Sequence, residues 1–154
     1  TSPCTYKFLN PSSDISKEID TKLKKLKFVD IIPFLDSITK KSNYKPLNRE
    51  IVLHPTCSTQ KMEYAQIMES LAQRCARKVT IPENSRCCGF AGDRGIIVPQ
   101  LTKNAVKYNK AQFSHEQRKL NGYSSSRMCE IGMSDNQQSY VSIAYLVRDY
   151  ILSK

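Results

Sequence analysis

The sequence lacks several features that would settle its class at once. It has no tryptophan, only five glycines, and no apolar run near the roughly 18 residues that a membrane-spanning helix needs. Six cysteines in 154 residues are too few for a disulfide-rich secreted scaffold, and 40% hydrophobic residues are too many for a disordered chain. These absences favour a single domain, residues 1–154, with a hydrophobic core of its own.

The beginning of the chain lacks both an initiator Met and an apolar leader, because it opens on Thr1-Ser2-Pro3-Cys4. We therefore expect a piece of a larger protein, located in the cytoplasm, where thiols stay reduced. Cysteines in that setting bind metals or react more often than they form disulfides.

Acidic residues are also scarce, since 14 Asp and Glu stand against 24 Lys and Arg, a formal net charge of +10. Residues 16–49 hold nine of the basic and four of the acidic residues, which is half of the excess. This stretch is either a solvated helix face or a surface for an acidic partner or an anionic membrane. No aromatic residues lie between the lysines of 17–27 for base stacking, so we do not expect a nucleic-acid partner.

Short apolar runs alternate with segments of helical periodicity along the chain. The first helical pattern has Ser12, Ser13 or Asp14 as candidate caps. The predicted elements are, in order, a helix carrying Ile15, Ile19, Leu23 and Leu26, a helix from near Asp30, a strand at 51–53, a helix from Ser58 or Thr59 to Cys75, a strand at 79–81, a helix from Pro99, a strand at 122–126 and a helix from about Gln137 to Leu152.

This alternation predicts an α/β fold with a parallel sheet and covering helices. A loop with cysteines follows each predicted strand: Cys57 after the first, Cys87-Cys88 after the second and Cys129 after the third. Loops that follow parallel strands gather at the carboxyl ends of those strands. We therefore expect the four thiols to meet in one crevice, although 29 residues separate Cys57 from Cys87 and 39 separate Gly89 from Cys129.

Four converging thiolates can hold zinc tetrahedrally or bind an iron–sulfur cluster. The chain has no pair of C-x-x-C motifs, so the spacing alone does not choose between these metals. A third hypothesis is a thiol redox enzyme that uses Cys87-Cys88, although the strain of a vicinal disulfide counts against it.

The surroundings of the cysteines favour a negatively charged cluster. Arg86, Arg94 and Arg127 each lie near a candidate ligand, and Gly89 allows a backbone amide to turn toward sulfur.

His54 is either a structural histidine at a strand end or a hydrogen-bond partner of a ligand. Cys75 shares a helix stripe with Leu71 and is predicted to be a core thiol, whereas Cys4 is either a surface thiol or a further ligand.

The pattern Cys57…Cys87-Cys88-Gly89…Cys129 resembles the cysteine-rich CCG domain, which occurs in the heterodisulfide reductase B subunit and the glycolate oxidase iron–sulfur subunit. Three segments are similar to the C-terminal part of FAD-linked D-lactate dehydrogenases, and the likeness covers nearly the whole chain. They are His-Pro-Thr-Cys-Ser at 54–58, Cys-Cys-Gly-Phe-Ala-Gly-Asp-Arg-Gly at 87–95 and Ser-Ser-Ser-Arg-Met-Cys-Glu-Ile-Gly-Met-Ser at 124–134.

This resemblance implies an electron-transfer domain whose Cys57, Cys87, Cys88 and Cys129 bind a 4Fe–4S cluster, with Cys4 as a candidate fifth ligand. Its partners would be its own flavin domain, which holds FAD and oxidises D-lactate or another 2-hydroxy acid, and a membrane electron acceptor such as a quinone. The domain would then lie in the cytoplasm, at the inner face of the membrane. We expect it to be inactive without the flavin domain, because the chain has no G-x-G-x-x-G motif.

One position departs from the broad CCG pattern, which ends in C-x-x-C, because Gly132 stands where the second cysteine would be. The remaining four thiols suit an ordinary 4Fe–4S cluster rather than a five-cysteine cluster. They also suit zinc, so the alternative function is a zinc-stabilised structural or docking module on the same fold.

Overall fold

One parallel sheet organises the computed structural model, which describes residues 1–13 and 15–153. Its strands are β1 (Leu47–His54), β2 (Ala76–Thr80), β3 (Gly122–Ser124) and β4 (Tyr140–Ser142), in the spatial order β2-β1-β3-β4. Every neighbouring pair runs parallel. The predicted α/β fold is therefore confirmed.

β1 lies at the centre of the sheet because its apolar run can be buried on both faces. Ile51, Val52 and Leu53 are fully buried, and Val52 pairs with Thr80 of β2 on one side and Gly122 of β3 on the other.

Helices connect and cover the strands. In the part of the chain that the structure describes they are α1 (Ser2–Leu9), α2 (Lys17–Leu23), α3 (Ile31–Thr39), α4 (Cys57–Lys61), α5 (Ala65–Cys75), α6 (Arg94–Ile97), α7 (Pro99–Lys110), α8 (Arg127–Met133) and α9 (Ile143–Leu152), with a short 3-10 turn at Gln117–Lys119. None of these helices has the length and apolar character that crossing a membrane requires.

Two hydrophobic clusters fill the two faces of the sheet. Side chains of a strand alternate between faces, so Ile51 and Leu53 belong to a cluster with residues of α3, α5 and α9. Val52 belongs to the other cluster, which includes Cys88 and Cys129. Two candidate ligands are therefore part of a hydrophobic core.

Several element boundaries differ from the predictions. The helix predicted after Ser58 or Thr59 is two helices, α4 and α5, because the chain turns between them at Glu63, whose φ is +61°. Thr56 caps α4 by accepting a hydrogen bond from the backbone of Thr59. The last predicted helix begins later than expected, since Tyr140–Ser142 pairs as β4 and Ser142 then caps α9.

The amino-terminal third differs most. Ser2–Leu9 forms a helix, α1, with Pro3 in its first turn, and this helix is not predicted from the sequence. Ser16 caps α2, while Asp14, one of the predicted caps, lies outside the described residues. Ile19 and Leu26 of the predicted apolar stripe are more than half exposed, so α2 is not held by burial of that stripe.

Candidate metal centre

The cysteine loops follow β1, β2 and β3 and therefore lie at the carboxyl ends of these parallel strands. Cys57 is the first residue of α4, Cys87 and Cys88 lie in the loop between β2 and α6, and Cys129 lies in the first turn of α8. The chain passes from β1 to β2 on one side and then returns to β3 on the other side of β1. In open parallel sheets such a reversal leaves a crevice beyond the strand ends, where ligands bind.

A cavity of about 360 Å³ occupies this crevice. Five cysteines are among the residues that line it: Cys4, Cys57, Cys87, Cys88 and Cys129. Its size falls within the range typical of ligand sites. Cys75, by contrast, is fully buried in the cluster on the other face, as the sequence predicts. The fold thus brings together thiols from four separate segments.

The thiols form an inner and an outer pair. Cys88 and Cys129 are only 3% and 6% exposed, and their Sγ atoms lie 3.2 Å apart. Cys57 and Cys87 are exposed at the mouth. The backbone N–H of Gly89 donates to Cys87 Sγ at 3.4 Å. Gly89 itself adopts the left-handed conformation, with φ of +72°, which glycine accepts without strain.

Hydrogen bonds between the thiols separate their pKa values. The thiol of Cys57 lowers the pKa of Cys87, and its own pKa is raised by the same contact. In the inner pair the pKa of Cys129 is lowered by the hydrogen bond from Cys88, while the pKa of Cys88 is raised. Each pair therefore favours one thiolate and one thiol. A bound metal cation would stabilise all the thiolates, because metals bind deprotonated sulfur.

His54 belongs to the inner part of the site. It is the last residue of β1, and the alternation that places Val52 on the cysteine side places His54 there too. Its ligand nitrogen and the sulfurs of Cys88 and Cys129 all lie within 4.8 Å of one another. From the sequence, His54 is expected to be either a structural histidine at a strand end or a hydrogen-bond partner of a ligand. The strand alternation was the signal that could have placed it beside the sulfurs.

Of the three arginines singled out from the sequence, one lines the cavity. Arg127 lies at the cavity and pairs with the Glu130 carboxylate at 3.1 Å. The Arg86 guanidinium instead stacks 3.8 Å from the centre of the Tyr108 ring. Arg94 begins α6 and is exposed, outside the cavity lining.

A buried polar network fastens α1 beside the cavity. Ser2 Oγ donates to Asp30 Oδ1 at 3.2 Å and lies 2.9 Å from Ser125 Oγ, which in turn lies 2.9 Å from Thr59 Oγ1. The network links α1 to α4 and to the loop after β3, and it holds Cys4 at the cavity wall. This support could not be foreseen from the sequence, because α1 was not predicted.

Gly132 lies in tight packing against Phe90 and Thr102. A Cβ atom at this position would lie 3.2 Å from Cβ of Phe90 and 3.5 Å from a methyl group of Thr102. Gly132 is not among the residues that line the cysteine cavity. Its place is therefore a packing position behind the site.

Comparison with known proteins gives one match. The family model of the cysteine-rich domain, CCG, matches residues 51–122, just under half of the chain, which include Cys57, Cys87 and Cys88. Neither the curated proteins nor the solved structures give a significant match. The matched segment and the buried group of His54, Cys88 and Cys129 together indicate a metal-binding or electron-transfer module. The family match thus supports the CCG domain that the sequence led us to expect.

Proposed function

We propose that this chain is an electron-transfer iron–sulfur domain in which Cys57, Cys87, Cys88 and Cys129 hold a 4Fe–4S cluster. The observation that carries the proposal is their convergence: residues 57 to 129 contribute all four to the lining of one cavity. Four thiolates are the usual complement of such a cluster.

The surroundings fit this group. The donors are soft sulfur atoms, which iron–sulfur clusters prefer to nitrogen or oxygen. The Gly89 amide already donates to Cys87 Sγ, and the cationic Arg127 lies at the cavity wall. The amide stabilises negative charge on sulfur and thereby influences the reduction potential, whereas the charge of Arg127 is largely offset by its ion pair with Glu130.

A cluster bound at these cysteines would accept and release electrons without any bond change in a substrate. The chain supplies a dry inner wall, because Cys88 and Cys129 are buried in a core that also contains Phe90 and Met133. The exposed Cys57 and Cys87 form the opposite side. Electrons would pass through this exposed side, since it is the part of the site that a partner protein can approach.

The wider setting that we propose is a flavin-dependent dehydrogenase of D-lactate or another 2-hydroxy acid. This proposal is supported by the resemblance of segments 87–95 and 124–134 to that enzyme class. The partner would be the flavin domain that holds FAD, and the final acceptor a membrane quinone. The excess of basic residues in 16–49 would suit contact with an anionic membrane surface.

The test is anaerobic reconstitution with iron and sulfide, followed by visible absorbance and by analysis of iron and acid-labile sulfide. We expect about four irons and four sulfides per chain. Separate Cys57→Ser, Cys87→Ser, Cys88→Ser and Cys129→Ser variants should lose most of the cluster. Cys75→Ala is the matched control and should keep it, because Cys75 lies in the other hydrophobic cluster.

Cys4→Ser tests the fifth thiol at the cavity wall. Loss of cluster in this variant would make Cys4 a ligand, while retention with a changed potential would make it a neighbour. Zinc bound tightly without any sulfide would contradict the electron-transfer proposal and favour the zinc-stabilised module.

A further inference from the structure

We propose that His54, Cys88 and Cys129 form a mononuclear site for a thiophilic divalent ion such as zinc, with His54 as a direct ligand. The three residues are 1%, 3% and 6% exposed. Their ligand atoms lie within 4.8 Å of one another. Two sulfurs and one imidazole are a common ligand set of zinc sites that keep a fourth position open.

The state of the His54 ring supports this assignment independently. Its Nε2 atom is buried and makes no hydrogen bond to the residues that the structure describes. Burying a polar atom without a partner is costly, so such an atom in a native site calls for a ligand. The other ring nitrogen, Nδ1, lies 3.5 Å from Ser85 Oγ. A proton on Nδ1 shared with Ser85 would leave the lone pair of Nε2 free for a metal, as in many metal-binding histidines.

Charge balance favours the same three ligands. Two thiolates and a neutral imidazole around a divalent cation form a complex with no net charge. A neutral complex suits a wall made of Val52, Phe90 and Met133, because burial of an uncompensated charge in such surroundings is strongly unfavourable. Four thiolates around the same ion would carry two negative charges.

The geometry requires a small adjustment. Two sulfurs about 2.3 Å from a tetrahedral zinc ion are about 3.8 Å apart, and the present separation of Cys88 Sγ and Cys129 Sγ is 3.2 Å. The fourth coordination position would face the cavity that Cys57 and Cys87 line. The ion and the proposed cluster share two sulfurs, so only one of them can occupy the site at a time.

The experiment is a titration of reduced, metal-free protein with Co²⁺, followed by its visible absorption bands and by competition with Zn²⁺. One ion per chain should bind. His54→Asn should weaken binding at least about 100-fold, the upper end of what loss of a supporting residue causes. Asn is chosen because its amide can still reach toward Ser85. Cys75→Ala is the control and should bind Co²⁺ within a few-fold of wild type, because Cys75 lies in the hydrophobic cluster on the other face of the sheet.

A measurement on the wild-type protein covers the case in which His54→Asn does not fold. The X-ray absorption spectrum of the zinc-loaded protein should show two sulfur neighbours together with nitrogen or oxygen. Four sulfur neighbours, or unchanged Co²⁺ binding in a folded His54→Asn variant, would overturn the inference. Failure of the electron-transfer proposal is separate, because it appears as absence of acid-labile sulfide after reconstitution of the wild-type protein.

Discussion

Cys75 and Cys129 are both buried, but they lie in clusters on opposite faces of the sheet. Cys75 packs among the apolar side chains of α5, and burial raises its pKa to about 12. The pKa of Cys129 is lowered, because Cys88 donates a hydrogen bond to its sulfur and His54 adds to the effect. Burial alone therefore favours the protonated thiol, whereas burial beside further donors favours a thiolate, which is the form that binds metals.

The two faces also differ in what stabilises them. The face with Cys75 is held by apolar packing between helices and the sheet. The face with Cys129 contains a cavity lined with cysteines, so the side chains on this face are incompletely packed. We expect the first face to carry the stability of the fold and the second to gain stability from a ligand.

The largest expected effect comes from shortening a buried side chain on the apolar face. Leu71 is fully buried on α5, so Leu71→Ala should lower the free energy of unfolding by about 2–5 kcal/mol. The variant should still bind metal once folded, since Leu71 belongs to the cluster opposite the site. Urea denaturation together with metal content measures both effects. A loss of metal without a loss of stability would contradict the expectation that one face carries the stability and the other binds the metal.

Two glycines of the cysteine loop form a matched pair for the second face. Gly89 and Gly92 have φ of +72° and +71°. A Cβ atom at Gly89 would lie 2.8 Å from the Leu101 carbonyl oxygen, whereas one at Gly92 would have no atom within 4 Å. Gly92→Ala should thus cost about 1–2 kcal/mol for its backbone conformation. Gly89→Ala should cost about 1–3 kcal/mol more for the clash.

Thermal denaturation measures the difference in stability between the two variants. Metal titration shows whether the substitution also changes metal binding at the cysteines. Gly89→Ala should also weaken metal binding, because it displaces the backbone that joins Cys88 to α6. Equal effects of the two substitutions would show that the close contact behind Gly89 does not constrain the loop.

Removal of a metal bound at the cysteines should destabilise the face that contains Cys129. A ligand at 100 times its Kd stabilises the folded state by about 2.7 kcal/mol. Treatment with a chelator should lower the free energy of unfolding by an amount of this order in the wild type and in Cys75→Ala alike. Calorimetry with and without the chelator measures it. An unchanged melting temperature in a protein shown to lose its metal would contradict the expectation.

A smaller effect than that of Leu71→Ala is expected from a pH dependence on the apolar side. Burial raises the pKa of Asp36, but hydrogen bonds from Lys40 and Arg74 outweigh it, so the pKa is lowered from its ordinary 3.8. A lowered pKa in the folded state means stability that is present above about pH 4 and lost as the pH falls through the folded-state value. Asp36→Asn should lower the free energy of unfolding at pH 7 by about 1–3 kcal/mol and reduce the loss below pH 4.

The control for Asp36 is Asp20→Asn, which breaks an exposed pair with Lys24 on α2. Such pairs are typically worth less than about 1 kcal/mol. Denaturation curves from pH 3 to pH 7 measure both variants, and an equal response would show that the partial burial of Asp36 does not matter.

The parallel sheet and the approximate places of β1, β2 and β3 could be predicted from the sequence, because buried strands require apolar runs and the runs at 51–53 and 79–81 are clear. The cysteine loops were predictable for the same reason, since they follow those runs. β4 could not be recognised, because Tyr140–Ser142 is a short segment whose pairing depends on β3. α1 was missed because it is held by a buried network of Ser2, Ser125 and Thr59, whose partners are far apart in the chain.

The sequence by itself determined the kind of chemistry available to this protein, because the number of thiols and the strands that precede them are local properties of the chain. Only the tertiary structure decided which thiols are inner and which outer, that Arg86 stacks on Tyr108 and that His54 faces two sulfurs. The physical reason is that local patterns specify helices and strands, whereas distances between side chains depend on how those elements pack. A donor group such as His54, Cys88 and Cys129 exists only once β1, the loop after β2 and α8 have come together.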